Sequence, residues 1–337
     1  MIKEAIKKVV DGTDLLMDEA AAVMSEIMSG EATPSQIACL ITAMRIKGES
    51  VDEITGFAKK MREFAIRIDP KVEELVDTCG TGGDYSGTFN ISTISAIVAA
   101  AAGAKIAKHG NRSASSKCGS ADILEALGVK IDIPPEKVKQ SIEDIGIGFL
   151  YAPNFHPAMK FAGPTRKEIG IRTIFNLLGP LTNPAGAKNQ LVGVFSAGIK
   201  ELIAKVLKNL GSREVMVVHG RDTLDEISVC DRTDVSHLKD GRIKNYDIDP
   251  KKFGIKPCKR ESILGGSIED NVRITNEVLN GVKGAKRDIV LLNSAAVLVL
   301  GKIASELKEG IEIAGEIIDN GKARSKLKDM IEFSRSV

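Results

Sequence analysis

The first 68 residues repeat apolar side chains at intervals of three and four positions, the spacing of one face of an α-helix. One such series is Ile37, Leu40, Ile41 and Met44. No segment in this region alternates with a period of two, which is the pattern of a half-buried strand. The pattern therefore predicts helices only, packed as a structural bundle. A contribution to a dimer interface is the alternative role.

The limits of these helices carry their own signals. Residues 33–36 read Thr-Pro-Ser-Gln and residues 50–53 read Ser-Val-Asp-Glu, and both fit a capping box at a helix start. Pro34 suits the first helical position. Gly30 and Gly48 stand where the preceding helices are expected to end.

The pattern changes at Val72. A short apolar strand over residues 74–78 runs into a glycine-rich loop, and a helix of small residues follows over about residues 92–102. Gly103 ends that helix, and residues 105–108 predict the next strand. A strand, a helix and a strand in this order are the building unit of a parallel sheet.

Later segments continue this alternation. Apolar runs at residues 191–195, 215–218 and 289–292 predict further strands, and residues 200–210 and 267–279 predict helices. We therefore expect the α/β class, with a mostly parallel central sheet flanked by helices.

One charged helical segment interrupts the α/β region. Residues 164–178 have a helical pattern, and we expect them to fold back onto the N-terminal bundle. The predicted division is a small α-helical domain of residues 1–70, with a returning segment at about 164–183. Residues 71–163 and 184–337 then form the larger α/β domain.

Charge and composition exclude several classes of protein. The formal net charge is +2, so no overall field favours nucleic acid or a membrane surface, and any phosphate recognition must be local. Aromatic residues are scarce and Trp is absent, which disfavours stacking on single-stranded bases. The longest apolar stretches, residues 94–104 and 289–301, are too short and interrupted to span a bilayer.

The cysteines and the N-terminus indicate a compartment. Five cysteines are widely spaced without a CxxC pair, so neither a zinc ribbon nor a disulfide framework is expected. The N-terminal residues continue an amphipathic helix and do not resemble a signal peptide. A reduced cytoplasmic protein is the expectation.

The glycine-rich loop is the first candidate site. Gly80, Gly82 and Gly83 allow a tight turn whose N–H groups face an anion. Ser92 and Thr93 follow at a predicted helix start, where free N–H groups and the helix dipole favour phosphate and where hydroxyls are able to ligate Mg²⁺. A simple tight turn and a helix cap are the structural alternatives. Two such elements within a dozen residues suggest an extended polyphosphate.

A second loop follows the next predicted strand. Lys108 offers a positive charge for a phosphate, Ser115 and Ser116 offer hydroxyls, and Asn111 offers a donor and an acceptor. A basic, serine-rich surface loop is the alternative. His109 alone is more often structural than catalytic.

The adjacent acids Asp225 and Glu226 follow a predicted strand. Mg²⁺ takes one or two carboxylates together with substrate oxygens and water, so this pair suits it, although most such pairs are solvated turns. Arg166 is able to clamp a carboxylate with two parallel hydrogen bonds, although a surface arginine is the ordinary case.

Taken together, these segments resemble the anthranilate phosphoribosyltransferase family. The matching stretches, in order, are DTCGTGGD at 77–84, NIST at 90–93, KHGNR at 108–112, GSADILEALG at 119–128, HPAMK at 156–160, RTIFNLLGPLTNP at 172–184, and Asp225-Glu226. They cover most of the chain from about residue 74 to 230, and the match is weaker after about Asp231.

The resemblance implies a site for each substrate, with phosphoribosyl pyrophosphate bound by the α/β domain. Phosphoribosyl pyrophosphate is expected at Gly80, Gly83, Asp84, Thr88, Asn90, Ile91, Ser92, Thr93, Lys108, Ser115, Ser116 and Ser120. Anthranilate is expected at Gly80, His109, Asn111 and Arg166. Mg²⁺, as two ions, is expected at Ser92, Asp225 and Glu226. The resemblance also implies a homodimer formed through the helical domain, and small-molecule substrates without nucleic-acid or membrane partners.

The implied reaction joins the two substrates in tryptophan biosynthesis with loss of pyrophosphate. The aromatic amine is neutral at pH 7, and no nucleophilic Ser-His-Asp or Cys-His arrangement is evident, so catalysis by orientation and charge is expected. The alternatives are a pyrimidine-type nucleoside phosphorylase, which needs no paired acids, and an inactive nucleic-acid-binding homologue.

Overall fold

A computed structural model describes residues 1–83, 86–113 and 117–337. The predicted site residues Asp84, Ser115 and Ser116 lie outside the described residues. The chain begins with four helices, α1 (Ile2–Val10), α2 (Met17–Ser29), α3 (Pro34–Lys47) and α4 (Val51–Phe64).

Both predicted capping boxes are confirmed. Thr33 Oγ1 accepts from the Gln36 N–H at 3.3 Å, and Ser50 Oγ accepts from the Glu53 N–H at 3.3 Å. Gly30 and Gly48 follow the last residues of α2 and α3 with φ of +81° and +89°. The helical N-terminal region is therefore as the sequence predicts.

One sheet of seven strands organises the rest of the chain. The strands are β1 (Val76–Gly80), β2 (Ile106–Gly110), β3 (Ile147–Tyr151), β4 (Asn189–Gly193), β5 (Glu214–Gly220), β6 (Thr233–Lys239) and β7 (Arg242–Ile248). Their order is β3-β2-β1-β4-β5-β6-β7; the first five are parallel, and β6 and β7 are antiparallel. The expected class, a mostly parallel sheet beside a helical region, is confirmed.

Helices connect these strands and close the chain. They are α5 (Ile91–Ala101), α6 (Ser120–Ala126), α7 (Pro135–Ile145), α8 (Ala152–Phe155), α9 (Gly163–Ile169), α10 (Ile174–Leu181), α11 (Lys200–Asn209), α12 (Ile268–Leu279), α13 (Ala285–Leu300), α14 (Leu307–Asp319) and α15 (Lys322–Arg335). Among the described residues, no helix combines the length and the apolar character needed to cross a membrane.

Hydrophobic cores cover both faces of the sheet. On β5, Met216 and Val218 join the core under α5 and α13, while Val215 and Val217 join the core shared with the N-terminal helices. This alternation follows the two-residue period of a strand. The sheet therefore packs directly against the helical bundle on one side.

Two expectations about elements need correction, and one pair of strands was missed. Residues 289–292 are not a strand but lie within α13, which is buried on all sides and so lacks the amphipathic period that identifies a helix. Residues 164–178 form two helices, α9 and α10, because Gly170 ends the first with φ of +69°. The β6–β7 hairpin was not predicted.

The returning segment contacts the N-terminal helices. Helix α9 packs against α3, and α10 packs against α3 and α4. From α4, the half-buried Arg62 donates to the Leu181 carbonyl at 2.7 Å, at the end of α10. These contacts support the proposed division into a helical domain with a returning segment.

Candidate functional site

Four neighbouring strands end in glycine at one edge of the sheet, namely β2, β1, β4 and β5 with Gly110, Gly80, Gly193 and Gly220. Strand β1 connects onward to β2 on one side and pairs with β4 on the other. In open parallel sheets, ligands bind outside the carboxyl ends of the strands, at the point where the strand order reverses. The β1–β4 junction is therefore the expected centre of a site.

The glycines leave room for the loop that carries the acid pair. A Cβ atom on Gly193 would lie 1.6 Å from the Asp225 carbonyl oxygen, and one on Gly80 would lie 2.5 Å from Asp225 Oδ2. Any side chain at these two positions would displace Asp225. The two glycines thus allow the acidic residue Asp225 to contact the ends of β1 and β4 directly.

Asp225 also joins the glycine-rich loop after β1. Its Oδ2 accepts from the Gly82 N–H at 3.1 Å. Gly82 and Gly83 have φ of +63° and +76°, a conformation that side chains disfavour. The carboxylate is therefore held together with the loop that the sequence predicts to bind phosphate.

Glu226 joins the other predicted phosphate element. Its Oε1 accepts from the Ser92 N–H at 3.1 Å, in the first turn of α5. Free N–H groups at a helix N-terminus attract negative charge, which explains this contact. The two adjacent acids therefore reach two different anion-binding elements.

The start of α5 contains buried polar atoms that have no hydrogen-bond partner among the described residues. Asn90 is the N-terminal cap but makes no capping hydrogen bond through its side chain, so a plain helix cap does not account for it. Within the described part of the chain, Asn90 Oδ1 and Thr93 Oγ1 are buried without a hydrogen-bond partner. Buried polar atoms are normally satisfied, so a polar ligand here would complete them.

Lys108 places a buried positive charge beside this turn. Its Nζ donates to the Thr78 carbonyl at 2.8 Å and to Ser92 Oγ at 3.2 Å. Burial lowers the pKa of Lys108, and the Asp77 carboxylate opposes that shift. The cation is thus fixed between β1 and α5 rather than free in solvent.

The remaining predicted phosphate residues have mixed surroundings. Thr88 Oγ1 lies 3.1 Å from Ser86 Oγ, and Thr88 forms an isolated bridge with Leu264. Ile91 is buried in the core, and its N–H donates to the Phe89 carbonyl at 2.8 Å. The side chain of Ile91 therefore faces away from any ligand.

Beyond β2, Asn111 and Ser120 lie side by side. Ser120 Oγ donates to the Asn111 carbonyl at 3.3 Å, and a Cβ atom on Gly110 would lie 2.2 Å from Ser120 Oγ. Arg112 is held by ion pairs with Asp122 and Glu125. The Asn111 side chain is exposed at the edge of the sheet.

His109 lies on β2 against a second histidine. The ring centroids of His109 and His156 are 5.1 Å apart. Burial, with a contribution from His156, lowers the pKa of His109 to about 3, and burial lowers the pKa of His156 to about 4. Both imidazoles are therefore neutral at pH 7 and do not act as cations.

Arg166, on α9, lies with its Cζ 4.9 Å from the centroid of the Phe175 ring. Among the described residues it forms no ion pair, and burial lowers its pKa. No hydrogen bond or ion pair between described residues joins it to Asn111 or to the glycine-rich loop. A planar cation that is stacked on a ring, and whose edge receives no hydrogen-bond acceptor within the described part of the chain, suits a carboxylate ligand.

Two further residues near the site, Arg172 and His156, have no role assigned from the sequence. Arg172 Nη1 donates to the Gly83 carbonyl at 3.0 Å, and its Cζ lies 4.4 Å from the Phe195 ring centroid. Both residues stand in family-like stretches, at 156–160 and 172–184, and that is the only signal of a role that the sequence offers.

Comparison with known proteins covers nearly the whole chain. Residues 3–65 match the profile of the glycosyl transferase family helical bundle domain, and residues 72–324 match that of the glycosyl transferase family a/b domain. The anthranilate phosphoribosyltransferase of Acetivibrio thermocellus is 54% identical over 336 residues, which is 100% of this chain and 97% of the relative. That of Methanobrevibacter smithii is 51% identical over 336 residues, 100% of each chain.

Solved structures give the same result. The anthranilate phosphoribosyltransferase of Thermus thermophilus superposes with a TM-score of 0.93 at 42% identity, over 98% of this chain and 99% of the other. The Saccharomyces cerevisiae enzyme in complex with PRPP and Mg superposes with a TM-score of 0.92 at 29% identity, over 100% and 98%. A further structure of the yeast enzyme holds 4-fluoroanthranilate, with a TM-score of 0.89 at 28% identity over the same shares.

Proposed function

The chain belongs to the anthranilate phosphoribosyltransferase family, and we propose that the edge formed by the ends of β1, β2 and β4 is where it performs the family reaction. The enzyme transfers the phosphoribosyl group of phosphoribosyl pyrophosphate to the amine of anthranilate, giving N-(5-phosphoribosyl)anthranilate and pyrophosphate, in tryptophan biosynthesis.

One observation supports this location of the active site. Asp225 accepts from Gly82 in the glycine-rich loop, and Glu226 accepts from Ser92 at the start of α5. Two carboxylates and two anion-binding backbone elements therefore meet at one place. A diphosphate with its metal needs this combination, whereas inorganic phosphate alone does not need the acids.

The proposed phosphoribosyl pyrophosphate site follows this cluster. Its backbone donors come from the glycine-rich loop and the first turn of α5, and Lys108 supplies the buried charge. The full set comprises Gly80, Gly83, Asp84, Thr88, Asn90, Ile91, Ser92, Thr93, Lys108, Ser115, Ser116 and Ser120. The buried side chain of Ile91 leaves only its backbone for this role.

Mg²⁺ is the cofactor, and a Mg-containing complex of the yeast relative supports it. We propose that Asp225, Glu226 and Ser92 hold it, as two ions. Carboxylate and hydroxyl oxygens are the donors that this cation prefers, and two carboxylates leave positions for diphosphate oxygens and water. When bound, Mg²⁺ neutralises the charge that develops on the leaving diphosphate.

Anthranilate is proposed to lie beside Gly80, with Arg166 and Asn111 recognising its carboxylate and amine. The stacked guanidinium of Arg166 offers two parallel donors. His109 would contribute a neutral ring to the wall of the pocket, because its lowered pKa removes the positive charge. The proposed anthranilate site thus combines the ends of β1 and β2 with helix α9.

The residues of the chain act by orientation and by fixed charge. The amine of anthranilate is neutral at pH 7, so its attack on the ribose C1 atom needs no strong base. Backbone N–H groups of the glycine-rich loop and the first turn of α5 stabilise the charge of the departing diphosphate. Placing amine and sugar in contact contributes further, potentially several kcal/mol.

The proposal also covers the oligomeric state, the domain division and the cellular location of the enzyme. Val10, Leu16 and Ile46 are exposed apolar side chains on or beside α1, α2 and α3, and they support a homodimer formed through the helical domain. The division into a helical domain with a returning segment and an α/β domain is part of the same proposal, as is a cytoplasmic location.

The fluorescence of anthranilate gives the direct test of the activity. Mixing the protein with anthranilate, phosphoribosyl pyrophosphate and Mg²⁺ should cause a Mg²⁺-dependent loss of anthranilate fluorescence. Phosphorolysis of thymidine or uridine without this loss would instead assign the site to a nucleoside phosphorylase. An enzyme that is active but insensitive to changes in Asp225 and Glu226 would contradict the proposed location.

A further inference from the structure

Two cysteines lie in contact at the end of the loop that carries the acid pair. Cys230 Sγ and Cys258 Sγ are 3.0 Å apart, and both residues are half-buried. Cys230 lies between β5 and β6, and Cys258 lies after β7. No local sequence pattern indicates the pairing, because 28 positions separate the two residues.

Hydrogen bonds already hold together the two segments that carry Cys230 and Cys258. The Cys258 N–H donates to the Val229 carbonyl at 3.3 Å, and the Cys230 N–H donates to Ser228 Oγ at 2.9 Å. Arg260 Nη1 donates to the Asp222 carbonyl at 3.4 Å, which ties the same two segments a second time. A disulfide bond is about 2 Å long, so the sulfurs need to approach by only about 1 Å.

We propose that Cys230 and Cys258 are a reversible disulfide site. In the reaction, the two thiols lose two protons and two electrons and form one S–S bond. A small disulfide such as oxidised glutathione accepts them and becomes two thiols. The reverse exchange with a reduced dithiol restores the free pair.

The other three cysteines lie in other parts of the fold. Cys39 is exposed on α3, Cys79 lies on β1, and Cys118 is buried just before α6. None of these positions belongs to the segments that bring Cys230 and Cys258 together. The disulfide is therefore expected to be specific to one pair.

The cross-link would enclose residues 230–258, which include the β6–β7 hairpin. Closing this loop restricts the unfolded chain and stabilises the folded one. Asp225 and Glu226 lie outside the enclosed segment, and the segments being joined are already in contact. Oxidation is therefore expected to raise the melting temperature, by roughly 5 °C, with turnover retained.

The Cys230 thiol is expected to react slowly at neutral pH. Burial, together with Cys258, raises the pKa of the Cys230 thiol to about 12. Because the thiolate is the reacting species, oxidation should be run for hours at about pH 8.5.

The experiment follows the thiols in the intact wild-type enzyme. The folded protein is incubated with oxidised glutathione, denatured, alkylated, and analysed by intact mass and peptide mapping. We expect Cys230 and Cys258 to escape alkylation and to appear as one cross-linked peptide pair without a glutathione adduct. Reduction should return all five thiols, and the melting temperature should fall to its starting value.

Variants identify the pair. Cys230→Ser and Cys258→Ser should each abolish the cross-link and the rise in melting temperature, while Cys39→Ser, the matched control, should keep both. Absence of the Cys230–Cys258 cross-link from the oxidised wild type would overturn the proposal. So would a cross-link that forms only in urea, or one that involves Cys39.

Discussion

Asn293 donates from Nδ2 to the Ile227 carbonyl and accepts at Oδ1 from the Ile227 N–H, each at 2.9 Å. One side chain thus satisfies both backbone groups of the residue that follows Glu226. Asn293 is fully buried in α13 and also donates to the Ile289 carbonyl at 2.8 Å. The position of the acid pair is therefore set from the core of the α/β domain, through Asn293 of helix α13.

Asn293→Ala should weaken the dependence on Mg²⁺ rather than the binding of anthranilate. Without the amide, the Ile227 backbone loses its partners and the preceding carboxylates lose their fixed positions. We expect the Mg²⁺ concentration for half-maximal turnover to rise about tenfold, with the KM for anthranilate unchanged. Steady-state assays over a Mg²⁺ series check this.

Ser294→Ala is the matched control. Ser294 is the next residue of α13, is equally buried, and has no hydrogen-bond partner through Oγ among the described residues. It should leave the Mg²⁺ requirement unchanged. If both variants lose activity alike and at all Mg²⁺ concentrations, Asn293 serves folding alone.

Gly80→Ala tests the contact between β1 and Asp225. The φ of Gly80 is ordinary, so alanine fits the backbone, but its Cβ would lie 2.5 Å from Asp225 Oδ2. The carboxylate must swing away and release the Gly82 N–H. We expect turnover to fall about tenfold or more with little change in melting temperature.

A double-mutant cycle makes this test sharper. In an Asp225→Ala background, Gly80→Ala should cause little further loss, because the clashing carboxylate is gone. Gly198→Ala, at a glycine of ordinary φ whose nearest neighbouring atom is 3.8 Å from the added Cβ, should be neutral. Additive losses in the double mutant would show that Gly80 acts through something other than Asp225.

The sequence predicts much of the candidate site because its residues lie in local motifs at strand ends. Prediction from the sequence fails where burial or a tertiary contact determines the secondary structure or the role of a residue. In the sequence, the first part of helix α13 resembles a buried strand because residues 289–292 are all apolar. Asn293, the one amide in the middle of this apolar stretch, is the sequence feature that marks the contact with Ile227. The contact of Arg172 with Gly83 joins residues 89 positions apart and has no local pattern.

The missed hairpin is a different case. Asp240 and Gly241 have φ of +50° and +70°, and the Asp-Gly pair between β6 and β7 is a strong hairpin signal. Val235 and Leu238 are three positions apart and lie in cores on opposite faces of the sheet, so they add no alternating apolar pattern. The signal for this turn is therefore present in the sequence.

Removing the acid pair should abolish metal-dependent turnover. Asp225→Ala combined with Glu226→Ala deletes both carboxylates, and we expect turnover to fall at least about 100-fold at any Mg²⁺ concentration. Asp231→Asn, in the same loop but exposed, is the control for a change of charge. Normal turnover in the double variant would refute the assignment of these residues to the metal.

Arg166→Ala should raise the KM for anthranilate about 10- to 100-fold, the effect of losing a hydrogen-bonded charge pair. Arg166→Lys should recover only part of this, because an ammonium lacks the planar fork. Lys167→Ala, an exposed neighbour on α9, serves as the control. A rise in the KM for phosphoribosyl pyrophosphate instead would place Arg166 on the other substrate.

The neutral histidine pair makes stability depend on pH. The folded pKa values of His109 and His156, about 3 and about 4, lie below the ordinary value of 6.5. As the pH falls below 6.5, these histidines bind protons in the unfolded chain but stay neutral in the folded one. The free energy of unfolding therefore falls progressively down to about pH 3. Each histidine should cost about 2 kcal/mol between about pH 7 and pH 5.

Urea unfolding of the parent and of His156→Gln at both pH values isolates this effect. Burial raises the pKa of Asp77, which contributes with the opposite sign, so the comparison of parent with variant is decisive rather than either slope alone. The variant should lose less stability on acidification, because one buried imidazole no longer has to be kept neutral. Equal losses in the two proteins would mean that His156 is protonated in the folded state, and the neutral state assigned to this residue would then be wrong.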